Sequence, residues 1–240
     1  MGFRTKAISR LLDAVMDGFF PSRCPSCGQS SFGSAYAPFC EGCWGGISPW
    51  EGPCCDVCRE PLDSEHAVRC AACLEEEPAY KRAFVFGLFE GALRTAIHSY
   101  KFAPARRLSV PLAGLLRESG LPRADAVTAV PLSKKRLLER GFNQSMLLAR
   151  HVAKWSGAEL LPHALVKKRD TPPQAGLTRK ERARNLRGAF LAARGGLTGM
   201  TVLLIDDVIT TGATVRECSK ALAGAGAGTV FVAALARTKR

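Results

Sequence analysis

The sequence contains no long uninterrupted apolar run. No stretch of about 18 or more residues is both apolar and free of charge, so we expect no transmembrane helix. Near the N-terminus, Asp13 and Asp17 interrupt the segment that could form the apolar core of a signal peptide, and no small-residue cleavage site follows. Lys6 stands where the myristoylation pattern requires Ser or Thr. These absences predict a cytoplasmic protein that begins with a short amphipathic helix.

Two further absences narrow the kind of ligand site. The GxxxxGK[ST] pattern does not occur, which excludes a phosphate-binding loop of that type. Aromatic residues make up only 8% of the chain. In its most basic part they are limited to Phe142, Trp155 and Phe190, which we assign to the core. A surface that stacks nucleic-acid bases needs more aromatics, so contacts to phosphates are better supported than readout of bases.

The net charge of +13 is distributed unevenly along the chain. Residues 1–78 carry 6 Lys and Arg against 11 Asp and Glu, whereas residues 79–240 carry 28 against 10. We therefore predict two domains, residues 1–78 and residues 79–240. The basic half predicts an anionic partner, either a phosphorylated small molecule or nucleic acid. A basic face that is only solvated is an equally simple interpretation of the charge alone.

Eight of the ten cysteines form four CxxC pairs. A CxxC turn directs both sulfurs to one centre, and two such turns complete the tetrahedral shell of a zinc ion. We predict two structural zinc sites and no catalysis by these metals. Sequential or interleaved pairing of the turns stays open. The predicted ligands are Cys24, Cys27, Cys40, Cys43, Cys55, Cys58, Cys70 and Cys73.

Other interpretations of the cysteines are weaker. A disulfide framework fits poorly with a long basic chain that lacks a secretory signal. A redox role is less expected, because four copies at matched spacing have a simpler explanation. Cys54 breaks the spacing and is assigned no role, and Cys218 falls in a helical pattern as a buried apolar residue. His66 lies between two pairs and could replace a ligand, although a surface position is favoured.

The second half of the chain alternates strand and helix patterns. Alternation of this kind predicts an α/β fold with a mostly parallel sheet and helices on both faces. In such sheets, ligands bind beyond the carboxyl ends of the strands. Strands are predicted at residues 83–89, 124–132, 199–208 and 229–237, and helices at residues 91–102, 105–119, 143–157 and 213–226.

The segment VLLIDDVITTGAT, residues 202–214, places two carboxylates at the end of a buried strand and a loop rich in threonine after them. Backbone amides and threonine hydroxyls would converge at the N-terminus of the next helix, which is an anion site. Asp206 and Asp207 would repel a bare phosphate, but they suit sugar hydroxyls or a magnesium ion shared with the substrate. A phosphoribosyl compound carries both groups.

This segment resembles the phosphoribosyl pyrophosphate (PRPP) motif of type I phosphoribosyltransferases. The resemblance implies that Asp206 and Asp207 are the catalytic acids and that magnesium accompanies PRPP. Thr210 stands where purine-salvage members have Asp, which resembles orotate-type members instead. The phosphoribosyl-binding residues implied are Asp206, Asp207, Val208, Ile209, Thr210, Thr211, Gly212, Ala213 and Thr214.

The cysteine pairs and the segment AVPLSKKRLLERGFNQSMLLA, residues 129–149, together resemble the ComF family, also called GntX. These proteins join a double zinc ribbon to a type I phosphoribosyltransferase-like domain and are linked to DNA uptake in natural competence. The stretch at residues 169–190 also resembles the family and has the composition of a loop with a short basic helix. The resemblance implies a mobile loop that closes over the substrate and contains Arg169, Gln174, Arg179, Arg182 and Asn185.

A second basic block follows the strand at residues 124–132. The resemblance places pyrophosphate at the loop SKKR, residues 133–136, so Ser133, Lys134, Lys135 and Arg136 are implied ligands. Arg140 and Gly141 are read as opening the next helix, and Arg140 could extend the site. Several copies of Lys and Arg match the charge of a pyrophosphate group.

Three functions follow as hypotheses. The first is a DNA-uptake factor that binds PRPP with magnesium, contacts single-stranded DNA and works with proteins of the uptake machinery. The second is an active phosphoribosyltransferase of nucleotide metabolism that acts on an unknown nitrogen acceptor. The third is a regulator that retains the fold as a ligand sensor. The paired acids favour a working ligand site, whereas the basic excess and the zinc ribbons favour a nucleic-acid or protein partner.

Overall fold

The computed structural model describes residues 23–101, 103–169, 185–193 and 196–239. Two short helices begin inside cysteine pairs, each directly after the first cysteine of its pair: α1 (Glu41–Gly45) and α2 (Ala71–Glu75). The strands are β1 (Arg82–Leu88), β2 (Ala126–Ala129), β3 (Glu159–Leu160), β4 (Leu165–Lys167), β5 (Phe190–Ala192), β6 (Thr201–Ile209) and β7 (Thr229–Arg237). The other helices are α3 (Gly91–Tyr100), a 3-10 helix (Ala103–Leu108), α4 (Ser109–Glu118), α5 (Lys134–Arg140), α6 (Gln144–Ser156) and α7 (Ala213–Gly224).

Five strands form one sheet in the order β1-β7-β6-β2-β3, and all four neighbouring pairs are parallel. β4 and β5 pair antiparallel as a separate two-stranded sheet. The predicted α/β class is therefore confirmed. Because every strand of the main sheet runs the same way, their carboxyl ends share one edge, and the loops after β1, β2 and β6 meet there.

Alternating residues of β6 supply two separate cores. Leu203 and Ile205 face α3, α4 and α6, whereas Val202 and Leu204 face α7 and the β4–β5 pair. Burial on both sides explains why the strand consists of a continuous apolar run.

The cysteine-rich segment packs against both faces of this sheet and against its edge. Residues of the first cysteine group, with Phe39 and Trp44, belong to the core of α3 and α4, and the second group belongs to the core of α7. The edge strand β1 is also covered, because Trp50 N donates to Phe86 O at 2.9 Å and Ala83 N donates to Val57 O at 2.7 Å. A covered edge leaves few open backbone groups for pairing with another chain.

Within the described ranges, no helix combines the length and the apolar character needed to cross a bilayer. The amphipathic helix predicted for the first 20 residues lies outside the described residues.

Candidate functional site

A cavity of about 420 Å³ opens at the carboxyl edge of the sheet. It is bounded by the loops after β1, β2 and β6, by α3, α5, α6 and the start of α7, and by β4 and β5. The polar and charged lining residues are His98, Lys101, Ser133, Arg136, Arg140, Gln144, Ser145, Lys167, Asp206, Asp207, Thr210 and Thr214.

Asp206 lies at the end of β6 and is only 9% exposed. Its Oδ1 accepts hydrogen bonds from Ser145 Oγ at 3.2 Å and from the Asp207 amide at 2.8 Å. Burial, reinforced by the negative charge of Asp207, raises the pKa of Asp206 to about 8. The protonated form of this carboxyl is therefore favoured more strongly than in an exposed aspartate, and a cation bound beside it would favour the ionised form.

Asp207 is the more accessible acid, and a lysine accompanies it. Its Oδ2 lies 3.5 Å from Lys101 Nζ, and its Oδ1 accepts from the Val208 amide at 2.7 Å. The same ammonium lies 5.9 Å from the centre of the Phe89 ring. Both acids thus face the cavity, and Lys101 neutralises one of them.

The loop after the acids leads directly into α7. Gly212 is the residue before the helix, and its φ of 78° is a left-handed conformation that residues with a Cβ rarely adopt. Thr211 Oγ1 accepts from the Ala213 amide at 3.4 Å. The amides of the first turn and the helix dipole therefore point toward the cavity edge, an arrangement that favours anions.

The structure does not bring every residue of the predicted motif to the cavity. Thr210 and Thr214 line it beside Val208, whereas Ile209 is 1% exposed and belongs to the core. The three remaining motif residues contribute the backbone turn rather than cavity-lining side chains. They are Thr211, Gly212 and Ala213.

The basic block after β2 corrects our sequence interpretation. SKKR is not a loop, because Ser133 caps α5 by accepting from the Arg136 amide at 3.3 Å. Arg140 and Gly141 end this helix instead of opening the next one, and Gly141 has a φ of 73°. The helix buries no residue, so no apolar periodicity marked it in the sequence.

Only part of the predicted pyrophosphate set lines the cavity. Ser133, Arg136 and Arg140 do so, and Arg140 Nη1 donates to Gln144 Oε1 at 3.0 Å. Lys134 and Lys135 are exposed on the outer part of α5.

The predicted mobile loop is described only at its ends. Arg169 Nη2 donates to the carbonyl oxygens of Asn185 at 3.1 Å and Arg187 at 3.3 Å, so this side chain ties the two ends together. Gln174, Arg179 and Arg182 lie outside the described residues.

The sequence analysis did not predict that residues of α3 and β4, together with the residue after α3, line the cavity. His98 and Lys101 are three residues apart near the end of α3, and Lys167 ends β4. Burial lowers the pKa of His98, and the charge of Lys101 adds to this effect, so the ring is neutral at physiological pH. The i, i+3 spacing of two polar side chains on one helix face was the available signal.

The cysteines form two groups of four sulfurs, each with all sulfur atoms within 4.8 Å of one another. The distances Cys27 Sγ–Cys40 Sγ, 3.6 Å, and Cys58 Sγ–Cys70 Sγ, 3.5 Å, approach the roughly 3.8 Å edge of a tetrahedron around zinc. Pairing is sequential, with the first two CxxC turns in one group and the last two in the other.

The cysteine groups fit zinc chemically, and the predicted bystanders stay outside them. Four sulfurs this close together repel one another as thiolates, so they require a bound cation to be stable in that form. Cys54 and His66 belong to neither group, and Cys218 is fully buried in α7. The prediction of two structural zinc sites is therefore confirmed.

Comparison with protein families agrees with both halves of this architecture. Residues 15–74 match the double zinc ribbon domain, and residues 102–240 match the phosphoribosyl transferase domain. The molecule is thus a zinc-ribbon protein with a type I phosphoribosyltransferase-like domain.

Curated relatives define the family more closely. The DNA utilization protein YhgH of Salmonella typhi is 34% identical over 192 residues, which cover 77% of this chain and 84% of the relative. Competence protein F of Haemophilus influenzae is 32% identical over 232 residues, covering 92% of this chain and all of the relative. Competence protein ComFC of Streptococcus pneumoniae is 29% identical over 184 residues, covering 75% and 80%. The chain belongs to the ComF family.

Proposed function

We propose that the protein binds PRPP with magnesium in the cavity at the carboxyl edge of the sheet, and that it acts in DNA uptake. One observation carries the ligand: the two acids and the helix N-terminus after them face the same cavity. A ligand must offer hydroxyls or a metal to the acids and a phosphate to the loop. PRPP offers both at the two ends of one ribose.

Asp206 and Asp207 are the residues that would hold magnesium or the ribose hydroxyls. Carboxylate oxygens are the ligands that magnesium prefers, and the mutual repulsion of the two acids would be relieved by a cation. Bound magnesium would neutralise charge on the pyrophosphate group. Thr210, Thr214 and the amides of the α7 N-terminus would bind the 5′-phosphate.

The basic residues that line the cavity suit the pyrophosphate group. Arg136 and Arg140 line it from α5, and Lys167 lines it from β4. Three cations around one pocket match a group with several negative charges. The resemblance extends this role to Lys134 and Lys135, which stand on the first turn of the same helix.

An active transferase in nucleotide metabolism is the second candidate. The observation that favours it is a pair of rings in the same cavity, Phe89 and His98, whose centres lie 5.5 Å apart and which phosphates do not require. A nitrogen acceptor lying there would form a bond to C1 of the ribose as the bond from C1 to pyrophosphate breaks. Release of pyrophosphate only when a nitrogen acceptor is added would distinguish transfer from binding.

The ligand proposal predicts a specific pH dependence. Because the pKa of Asp206 is raised to about 8, the ionised carboxyl that a cation requires becomes available only as the pH rises. Calorimetric titration with PRPP and magnesium should show affinity rising about 50-fold between pH 6 and pH 8. The Asp206→Asn protein should lose this dependence. The Asp207→Asn protein should bind about 10- to 100-fold more weakly at pH 8, and its affinity should depend less on pH, because the charge of Asp207 helps to raise the pKa of Asp206.

The Asp206→Asn comparison also controls for the titration of the ligand, since the ligand phosphates change charge near pH 6 in both experiments. The stability of the fold depends on pH in the opposite direction from the affinity for the ligand. A raised folded-state pKa means that the stability contributed by protonated Asp206 is lost as pH rises through about 8. Equal PRPP affinity in the wild type and both variants would contradict the proposed site.

The DNA part of the proposal rests on the charge distribution. Residues 134–187 carry 14 Lys and Arg against 4 acids, and relatives are named for DNA utilization and for competence. Contact would run along the phosphates of a single strand, because Phe142 and Phe190 are buried rather than available for stacking. We further propose that proteins of the uptake machinery are partners.

Binding to an oligothymidylate across a salt series tests the DNA contact. The logarithm of affinity should fall with the logarithm of salt concentration, by about 0.7 for each phosphate contact. The Lys134→Gln/Lys135→Gln protein should have a slope smaller by roughly 1.4, since both side chains are exposed on α5. A salt response that is flat would rule out the contact along phosphates.

A further inference from the structure

The second cysteine group is bonded to the helix that carries the phosphate loop. Arg216, in the first turn of α7, donates from Nη1 to Glu76 O at 2.8 Å and from Nη2 to Ala72 O at 3.2 Å. Its Nη2 also lies 3.3 Å from Cys73 Sγ, so a guanidinium contacts a zinc ligand directly. The Arg216 amide in turn donates to Gly212 O at 3.0 Å. One residue therefore joins the sulfur cluster to the phosphate loop.

A second arginine, Arg237, lies next to the same loop. Arg237, the last residue of β7, is 2% exposed and donates from Nε to Glu60 Oε2 at 2.9 Å. Glu60 closely follows the third CxxC pair, which belongs to the second cysteine group, since Cys58 is two residues earlier. Both Nη atoms of Arg237 lie 4.0 Å from the position that a Cβ would take on Gly212. The Arg237 guanidinium is thus held between the second ribbon and the phosphate loop.

The first cysteine group has a different neighbourhood. Cys24, Phe39 and Trp44 pack into the core formed with α3 and α4, on the opposite face of the sheet from α7. The two ribbons can therefore be compared, because in the described part of the chain only the second is hydrogen-bonded to Arg216 and Arg237, the two arginines next to the phosphate loop.

We propose that the second zinc ribbon sets the conformation of the phosphate loop through Arg216 and Arg237, so that affinity for a phosphorylated ligand depends on the second ribbon and not on the first. This inference rests on the proposed phosphate role of the loop. Four sulfurs fixed on a metal hold the Ala72 and Glu76 carbonyls in place. These carbonyls hold Arg216, and Arg216 holds the first turn of α7. A loop ordered in advance binds its ligand with a smaller entropic cost.

Arg216 and Arg237 are positioning residues in this account, because neither lines the cavity. The decisive variant is Arg216→Gln, studied in the full chain with its zinc content measured. Hydrogen exchange at residues 211–216 should become faster, whereas exchange in α6 should stay unchanged. Affinity for PRPP with magnesium should fall roughly 5- to 150-fold, the usual range of coupling between two sites.

Lys220→Gln is the matched control. Lys220 lies one turn further along α7 and binds Glu76 in a half-exposed ion pair at 2.8 Å, without a hydrogen bond to the cysteine group. Exposed pairs of this kind contribute little. We therefore expect loop exchange and PRPP affinity within about twofold of the wild type.

A pair of cysteine variants tests the ribbons themselves. Cys73→Ser should release one metal per chain and reproduce the faster loop exchange, whereas Cys27→Ser should release one metal and leave the loop unchanged. If the Cys73→Ser protein does not fold, loop exchange in the Arg216→Gln protein with both metals bound is the test of the coupling. Unchanged loop exchange in Arg216→Gln would overturn the inference. Faster exchange in a protein whose wild type does not bind PRPP would instead sustain the coupling and refute the proposed ligand.

Discussion

Replacing Glu60 by alanine should destabilise the protein by about 3–5 kcal/mol. Glu60 is 5% exposed, and its partner Arg237 is 2% exposed, so the substitution leaves a guanidinium charged and buried without a counter-ion. Arginine cannot become neutral by losing its proton, because its pKa lies far above physiological pH, so the cost of the buried charge remains. Burial acts to lower the pKa of Arg237, but the negative charges of Cys58 and Glu60 and the hydrogen bond to Glu60 together raise it.

Denaturant unfolding measures this loss as a free energy, and thermal unfolding should show a fall in Tm of roughly 6–20 °C for a chain of this size. Glu77→Ala is the control, since Glu77 pairs with Arg69 at 3.5 Å on the surface and should change stability by less than about 1 kcal/mol. The double variant Glu60→Leu/Arg237→Met should recover most of the loss, because it removes both charges together. Unfolding of Glu60→Ala at the same denaturant concentration as the wild type would contradict the assignment.

The elements that the sequence predicted well are those that bury an apolar face. The four predicted strands and four predicted helices all occur, with bounds that shift by a few residues. The helix α5 was missed because it buries nothing, and Leu138 on it is 85% exposed. The strands β3, β4 and β5 have only two or three residues each, too few for any periodicity to be recognised.

The candidate site contains residues that are contiguous in the sequence, which could be predicted, and residues that are far apart in the sequence, which could not. Asp206, Asp207 and the turn at Gly212 are contiguous, so one strand and one turn place them together and the sequence alone predicts the arrangement. Lys101 reaches Asp207 only because α3 packs beside the end of β6. No spacing rule connects residues that are more than 100 positions apart.

In the zinc ribbons, the residues that attach them to the rest of the protein are the ones separated most widely along the sequence. The sequence predicted their ligands from spacing alone, and the two sulfur clusters follow that spacing. Their attachment to the domain could not be predicted, because Glu60 and Arg237 are 177 residues apart and Arg216 and Cys73 are 143 apart. Local spacing therefore sets the metal sites, whereas tertiary packing decides what the metal sites support.

Removal of zinc should unfold both ribbons and expose the edge of the sheet. Structural zinc in small cysteine sites contributes about 10–16 kcal/mol to folding. The helices α1 and α2 have only five residues each, so they cannot persist without the metal. The ribbons also supply the groups that cover β1, through the bonds Trp50 N–Phe86 O and Val57 O–Ala83 N. Their loss would leave a bare strand edge, which is a site of aggregation.

Chelator titration should therefore release two zinc ions per chain, one for each sulfur cluster, and the loss should be accompanied by a change in the near-ultraviolet circular dichroism. That signal reports on Trp44, which is buried and stacked on Tyr36 with ring centres 4.9 Å apart. Cys55→Ser should lower the zinc content to one per chain. Cys54→Ser should leave it at two, because Cys54 belongs to neither cluster. A protein that keeps its near-ultraviolet signal and its Tm after losing both metals would show that packing on the sheet, and not the metal, holds the ribbons. The ribbons share two hydrophobic cores with the sheet. The stability lost for each zinc ion released therefore measures how much of the folding free energy of the ribbons comes from the metal and how much comes from these cores.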